Sequence, residues 1–285
     1  MRDPIWFRWL GVAGIELQVR DEILIIDPCL TRPAMRQAWF GRVHPDRELI
    51  AQKIQRCDYV LVTHAHYDHV MDVPDVVRNT GAVALGSPNT CRLLTACGVP
   101  KDQMREIGSR DKVRLGSFCV ETLSAEHMKI PGFGPGPLPD KLQPPLRLRD
   151  YRMDICLSFL IQVDDLRLLD WSSIGPEPAP AADVLFVRLY EKQATYQALL
   201  EDVQPRLVIP AHWDDLFRPV SKPTRPCFKP PSCTFPPLQR MDPARFKGII
   251  EGMKPGVDVL IPEIFRVYRI PPDVETVHSP EDLAP

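Results

Sequence analysis

The 285-residue chain is long enough for one large domain or two small ones, and its 44% hydrophobic content supplies a substantial core. A formal net charge of -2 and a pI near 6.4 provide no global basic field, which disfavours nucleic acid and anionic membrane as partners. The opening Met1-Arg2-Asp3-Pro4-Ile5-Trp6 lacks the apolar stretch of a signal sequence, and no apolar run approaches the roughly 18 residues of a membrane span. The expectation is a cytoplasmic protein without a transmembrane segment.

In chain order, Ile5–Leu10 and Gly14–Val19 read as short strands about a turn, and Glu22–Ile26 runs apolar into Asp27-Pro28. Asp58–Thr63 is nearly all apolar and ends in histidines. That is the pattern of a strand buried on both faces, whose C-terminal end is where layered α/β folds place their chemistry. A helix is predicted over Val73–Arg78, a strand over Ala82–Leu85, a helix over Asn89–Cys97 closed by Gly98, and strands at Lys112–Leu115 and Phe118–Thr122. Ile155–Val163 and Leu166–Leu169 flank Asp164-Asp165, which has hairpin composition. Strands follow at Val184–Val187, Arg206–Ile209, Val257–Ile261 and Phe265–Ile270, with helices over Tyr190–Glu201 and Pro243–Met253. Each half mixes strands with covering helices, which predicts helices outside two packed sheets.

The 32 prolines cluster at Pro131–Pro145, Pro176–Pro180 and Pro219–Pro237, segments that cannot be helices or central strands. Residues 131–152 and 213–237 therefore form long loops within a single domain over 1–270, and 271–285 reads as a frayed tail. Eight scattered cysteines without a CxxC pair are simplest as reduced thiols. Cys227 and Cys233, with five residues between them and no histidine in phase, make a poor disulfide or ligand pair.

Three of the seven histidines fall within six positions, His64-Ala65-His66-Tyr67-Asp68-His69. Imidazoles packed this closely repel on protonation unless a metal replaces the protons, and imidazole with carboxylate suits Zn, Mn or Fe. At the mouth of a strand, His64 and His66 can point to one side while Asp68 and His69 reach a second point, so two neighbouring metal sites fit better than one. Asp27 can orient a ligand histidine from behind or simply serve its turn.

This HxHxDH run, entered from an apolar strand, resembles the metallo-β-lactamase superfamily. That superfamily adds three later ligands in fixed order, matched here by His127 in Ser124-Ala125-Glu126-His127, by Asp170 after Leu166–Leu169, and by His212 in Ile209-Pro210-Ala211-His212-Trp213. The resemblance covers roughly residues 5–270 and implies a four-layer αββα sandwich, two mixed sheets face to face with helices outside. It implies His64, His66 and His127 on a first divalent ion, Asp68, His69 and His212 on a second, and Asp170 as a bridge. Many relatives carry the bridging aspartate in Gly-Asp-Thr. Here it sits in Leu169-Asp170-Trp171-Ser172-Ser173, where it can equally cap the turn. His66 stands where flavodiiron relatives carry a glutamate, which orders the expected metals as zinc, then manganese, then iron. Trp9-Leu10-Gly11-Val12-Ala13-Gly14 and Ile25-Ile26-Asp27-Pro28 also look like the ascorbate-6-phosphate lactonase and N-acyl-phosphatidylethanolamine phospholipase D branch.

Both long loops follow ligand histidines and are net basic, through Lys141, Arg147, Arg149 and Arg152 in the first and Arg218, Lys222, Arg225 and Lys229 in the second. They can steer an anionic small molecule to the site or be solvated surface. Phe133, Phe228 and Phe235 can wall the pocket or anchor their loops. The resulting expectation is hydrolysis of an ester-type bond, such as a lactone or phosphodiester, by a hydroxide bridging two metals, with Asp68 shuttling the proton. An iron oxidoreductase of the persulfide dioxygenase kind and a non-catalytic metal-stabilised binding protein are the competing readings. Homo-oligomerisation is left open.

Overall fold

The structure is a computed structural model that describes residues 3–127, 135–171, 177–189, 192–229, 239–270 and 275–276. The chain opens with a meander, β1 (Ile5–Gly11), β2 (Gly14–Val19) and β3 (Glu22–Ile26), followed by helices α1 (Met35–Phe40) and α2 (Arg47–Lys53). Strand β4 (Tyr59–Leu61) leads into α3 (Tyr67–Val70) and α4 (Val73–Thr80). Then come β5 (Val83–Gly86), α5 (Pro88–Ala96), β6 (Met104–Glu106), β7 (Lys112–Leu115) and β8 (Phe118–Ala125). The second half contains β9 (Cys156–Val163), β10 (Leu166–Trp171), β11 (Val184–Arg188), α6 (Gln193–Val203) and β12 (Leu207–Ala211). It ends in α7 (Pro243–Met253), β13 (Asp258–Val259), β14 (Val267–Ile270) and β15 (Glu275–Thr276).

These strands form two mixed sheets. One has eight strands in the order β15-β14-β1-β2-β3-β4-β5-β6, the other seven in the order β13-β12-β11-β10-β9-β8-β7. The last strands return to the first sheet, with β14 antiparallel to β1, so the two ends of the sequence close one layer. Side chains alternate across a strand, and β3 shows why both of its faces must be apolar. Leu24 and Ile26 pack in the core shared with the seven-stranded sheet, whereas Ile23 and Ile25 pack with Val73, Val76 and Val77 of α4 on the other side. Phe7 of β1 meets Phe186 of β11 across the sandwich, ring centroids 5.3 Å apart. The architecture is the four-layer α/β sandwich expected from the sequence.

Most predicted elements recur with ends shifted by one to three residues, and Gly14–Val19, Glu22–Ile26, Lys112–Leu115 and Pro243–Met253 are unchanged. The structure adds α1, α2, α3 and β6, all seven residues or shorter, too brief for a periodic apolar pattern to announce them. Part of the expected tail, Glu275–Thr276, pairs with Tyr268 and Arg269 as an edge strand. Phe133, Ser172, Ser173, Cys233 and Phe235 lie outside the described residues, as does the remainder of 271–285. Cys29, Cys57 and Cys91 are buried thiols, and Cys119 is exposed.

Candidate metal centre

The 64–69 segment leaves the C-terminal end of β4, a central strand held by β3 and β5 in parallel register. It is short and turns at once into α3, which places Asp68 and His69 one turn beyond His64 and His66. All four are buried. The seven-stranded sheet supplies the other side: His127 follows β8, Asp170 lies in β10, and His212 follows β12.

Two sets of ligand atoms converge. His64, His66 and His127 bring one atom each within 4.8 Å of one another, and Asp68, His69 and His212 do the same. In the first set the ring centroids lie 4.6–4.7 Å apart. His64 Nε2 faces His66 Nδ1 at 3.1 Å. In the second, Asp68 Oδ2 is 3.5 Å from His69 Nε2 and 3.3 Å from His212 Nε2. These are the two triads that the resemblance implied.

Behind the two sets stands a polar node that bonds two of their imidazoles. Asp27, fully buried and in a left-handed conformation (φ 46°), accepts from the Thr63 backbone N–H (2.8 Å), from the Thr63 hydroxyl (2.5 Å) and from His69 Nδ1 (2.7 Å). It thus occupies its turn and bonds His69 of the second set at once. With its proton committed to Asp27, the Thr63 oxygen can accept from His64 Nδ1 at 3.0 Å. Both His64 and His69 then carry hydrogen on Nδ1 and turn the Nε2 lone pair toward the convergence points, as second partners of metal-ligating histidines commonly dictate. Thr63 was not singled out in the sequence, where it is only the last residue of an apolar run.

Charge distinguishes the two triads. Burial holds His64 well below the usual imidazole range and lowers His66 to about 4, with neighbouring imidazoles adding to the shift. At His69, burial also disfavours the proton, but Asp27 and Asp68 outweigh it and the pKa rises. Burial acts to raise the Asp68 carboxyl, yet His69, His212 and His66 hold it well below the usual carboxylate range. A three-imidazole set in which His64 and His66 are neutral, beside a set containing the ionised Asp68, is a donor array that fits divalent cations.

Asp170 is buried but belongs to neither converging triad. Burial, reinforced by the Asp27 charge and opposed by Arg188 and His69, raises its carboxyl to about 8. Arg188 was also passed over in the sequence, where it looks like an ordinary strand end. It is 7% exposed at the C-terminal end of β11, paired with Ala211 of β12, one position beyond the Val187–Trp171 pair with β10. Its charge is felt by His64, His69 and Asp170.

The loop arginines stand apart. Arg147, Arg149 and Arg152 are exposed. Arg149 and Arg152 line a surface cavity of about 380 Å³ with Pro137, Leu138, Pro139, Asp140 and Asp150, and none of the six triad residues lines it. Arg147 begins the short turn Leu148–Asp150, its backbone N–H donating to Asp150 (2.9 Å). Phe228 is largely exposed under the Arg240 guanidinium, 4.0 Å above its ring. No helix among the described residues is long and apolar enough to cross a membrane.

Comparison with known proteins agrees with this geometry. The family model of the metallo-beta-lactamase superfamily matches residues 12–150, which include Asp27, the 64–69 segment and His127. A UPF0173 metal-dependent hydrolase from Anaeromyxobacter sp. is 32% identical over 123 residues, 42% of this chain and 41% of the relative, so the matched stretch spans less than half of that relative's length. Another from Staphylococcus aureus is 25% identical over 261 residues, 87% of this chain and 96% of its own. The solved structure of Igni18, a metallo hydrolase from Ignicoccus hospitalis, superposes with a TM-score of 0.60 at 18% identity, covering 95% of this chain and 100% of that one, a likeness of fold. Residues 12–150 thus match the metallo-β-lactamase superfamily, and the similar curated proteins are named metal-dependent hydrolases.

Proposed function

We propose that the protein is a metal-dependent hydrolase that binds two divalent ions, zinc ahead of manganese and iron, and cleaves an ester-type bond of an anionic small molecule. The observation that carries this reading is the pair of three-ligand sets fed by one six-residue segment. His64, His66 and His127 would hold one ion and Asp68, His69 and His212 the other, with Asp170 available as a bridge once positive charge favours its carboxylate. When bound, two such ions supply Lewis acidity and lower the pKa of a shared water from about 16 toward neutrality, so that a bridging hydroxide is available at neutral pH.

The chain's own groups do the rest. Asp27 and Thr63 keep the imidazoles in the ligating tautomer. Asp68, kept ionised by its imidazole neighbours, is the group that accepts a proton from the attacking water and passes it to the leaving oxygen. Arg188 adds a fixed positive charge at the strand ends, which supports an anionic substrate; Arg147, Arg149 and Arg152 would act at longer range, from the loop surface.

The test is metal analysis of the purified protein with a panel of lactones, phosphodiesters and activated esters, and oxygen uptake alongside. Two bound ions with turnover of one panel member are expected. Two ions with oxygen uptake and no hydrolysis would favour the oxidoreductase chemistry instead. Asp68→Asn should lower turnover at least 100-fold while one ion stays bound, and full activity in that variant would remove Asp68 from the proton path.

A further inference from the structure

We propose that Arg32 and Asp214, neither of which belongs to a triad, form a positioning pair that fixes His212 as a ligand of the second ion. The proposal rests on the two-ion reading of the site. His212 is unusual for a ligand at a strand end: its backbone is left-handed (φ 56°), a conformation that side chains with a Cβ rarely adopt. Something must hold it there. Its N–H donates to the Val12 carbonyl at 2.7 Å, and Val12, a β-branched residue, is itself left-handed (φ 48°). Two unfavourable backbones in contact are stable only where the surroundings determine them.

Asp214 provides that determination. Its Oδ1 accepts from the Val12 N–H at 2.7 Å, and its Oδ2 accepts from Arg32 Nη2 at 2.9 Å. Trp9 Nε1 donates to the same Val12 carbonyl at 3.0 Å, and the Trp9 ring stacks on Trp213 with centroids 4.9 Å apart. Both Asp214 oxygens are thereby used, which leaves this carboxylate as a brace for its neighbour. Arg32 reaches it only because residue 11 is glycine, for a Cβ there would lie 2.3 Å from Arg32 Nη2.

The ion pair is buried, with side chains 2% and 4% exposed. Burying an ion pair contributes little stability compared with apolar replacement, because both charges lose their hydration. Its geometry accounts for it better. The pair ties the β1–β2 turn of the eight-stranded sheet to the end of β12 in the seven-stranded sheet, at the point where His212 must meet Asp68 and His69 across the gap between the layers. The second triad is thus assembled partly by Gly11 and Val12, 57 and 56 positions before Asp68.

The test uses Arg32→Met, Arg32→Lys and Asp214→Asn in the full chain, titrated with Zn²⁺ by calorimetry, together with amide hydrogen exchange of the metal-free proteins. In Arg32→Met and Asp214→Asn the second ion should bind about 10–100-fold more weakly while the first is unchanged, and Arg32→Lys should recover part of the loss. Exchange at the His212 amide should rise at least tenfold, with the Asp27 and Thr63 amides, bonded to Leu61 and Asp27, unaffected. Second-ion affinity within threefold of the wild type in both variants overturns the proposal. So does a uniform rise in exchange with equal loss of both ions, which would mark Arg32 and Asp214 as general stability residues. If the wild type takes up fewer than two ions, the two-ion reading fails, and exchange at His212 still decides whether the pair holds that residue.

Discussion

The two triads share one origin and differ in everything that supports them. Each draws two ligands from the 64–69 segment and a third from a strand end of the opposite sheet. The first is three imidazoles, of which His64 and His66 are held neutral chiefly by burial. The second contains the ionised Asp68 and has Asp27 bonded to His69 behind it, so it attracts positive charge before any ion arrives. The difference teaches that adjacency in sequence fixes which residues meet, whereas affinity and protonation come from groups that are distant in the chain.

The largest effect should come from removing the third ligand of each triad. His127→Ala should weaken the first ion by more than about 100-fold and spare the second, and His212→Ala should do the reverse, since a ligand matters more than the 10–100-fold typical of its supporting partner. Zinc stoichiometry by calorimetry reads both. Loss of both ions in either variant would break the comparison and make the centre a single cooperative unit.

Asp27→Ala comes next. It leaves the Thr63 N–H, the Thr63 hydroxyl and His69 Nδ1 without their buried acceptor, at a cost of about 1–3 kcal/mol for each donor that water cannot reach. The second ion should lose about 10–100-fold in affinity, and the first less, because Thr63 alone relays the change to His64. Equal losses at both ions would show that the node supports the whole segment, not one triad. Chemical denaturation and zinc titration separate the two effects.

The reach of the sequence follows the same division. The HxHxDH run was legible because its chemistry is local: clustered imidazoles are costly without a cation. Strands were legible from patterning, Gly14–Val19 by alternation of Ile15, Leu17 and Val19 with Glu16 and Gln18, and Glu22–Ile26 by its apolar run. His127 and His212 could be singled out only through their order after strands. Thr63, Arg188, Arg32 and Asp214 could not be, for each takes its role from partners 36 to 202 positions away or from the strand beside it, which no local pattern encodes. Short helices such as Arg47–Lys53 escaped for another reason. Seven residues give two turns, and stability there depends on the Asp46 cap and tertiary packing of Ile50.

The smallest expected effect, and the sharpest on charge, is the count of protons each ion displaces. His66, at about 4 in the fold against 6.5 when free, binds fewer protons than the unfolded chain between those values. It therefore contributes stability to the metal-free protein above about pH 6.5, and that contribution fades as pH falls toward 4. His69 has the opposite sign: its pKa is raised, so its contribution is complete below the unfolded value of 6.5 and is lost as pH rises through the folded one. At pH 6.5 the first ion should accordingly displace almost no proton from His64 or His66. His69, more than half protonated at that pH, should release more than half a proton to the second. Calorimetry of zinc binding in buffers of different ionisation enthalpy counts these protons. Water acidified by the ions adds its own, so the decisive quantity is the difference between the wild type and Asp27→Asn, in which burial acts on His69 without the charge of Asp27. That difference should appear on the second ion only, and a difference shared equally by both ions would mean that the acid behind the site serves the two triads alike.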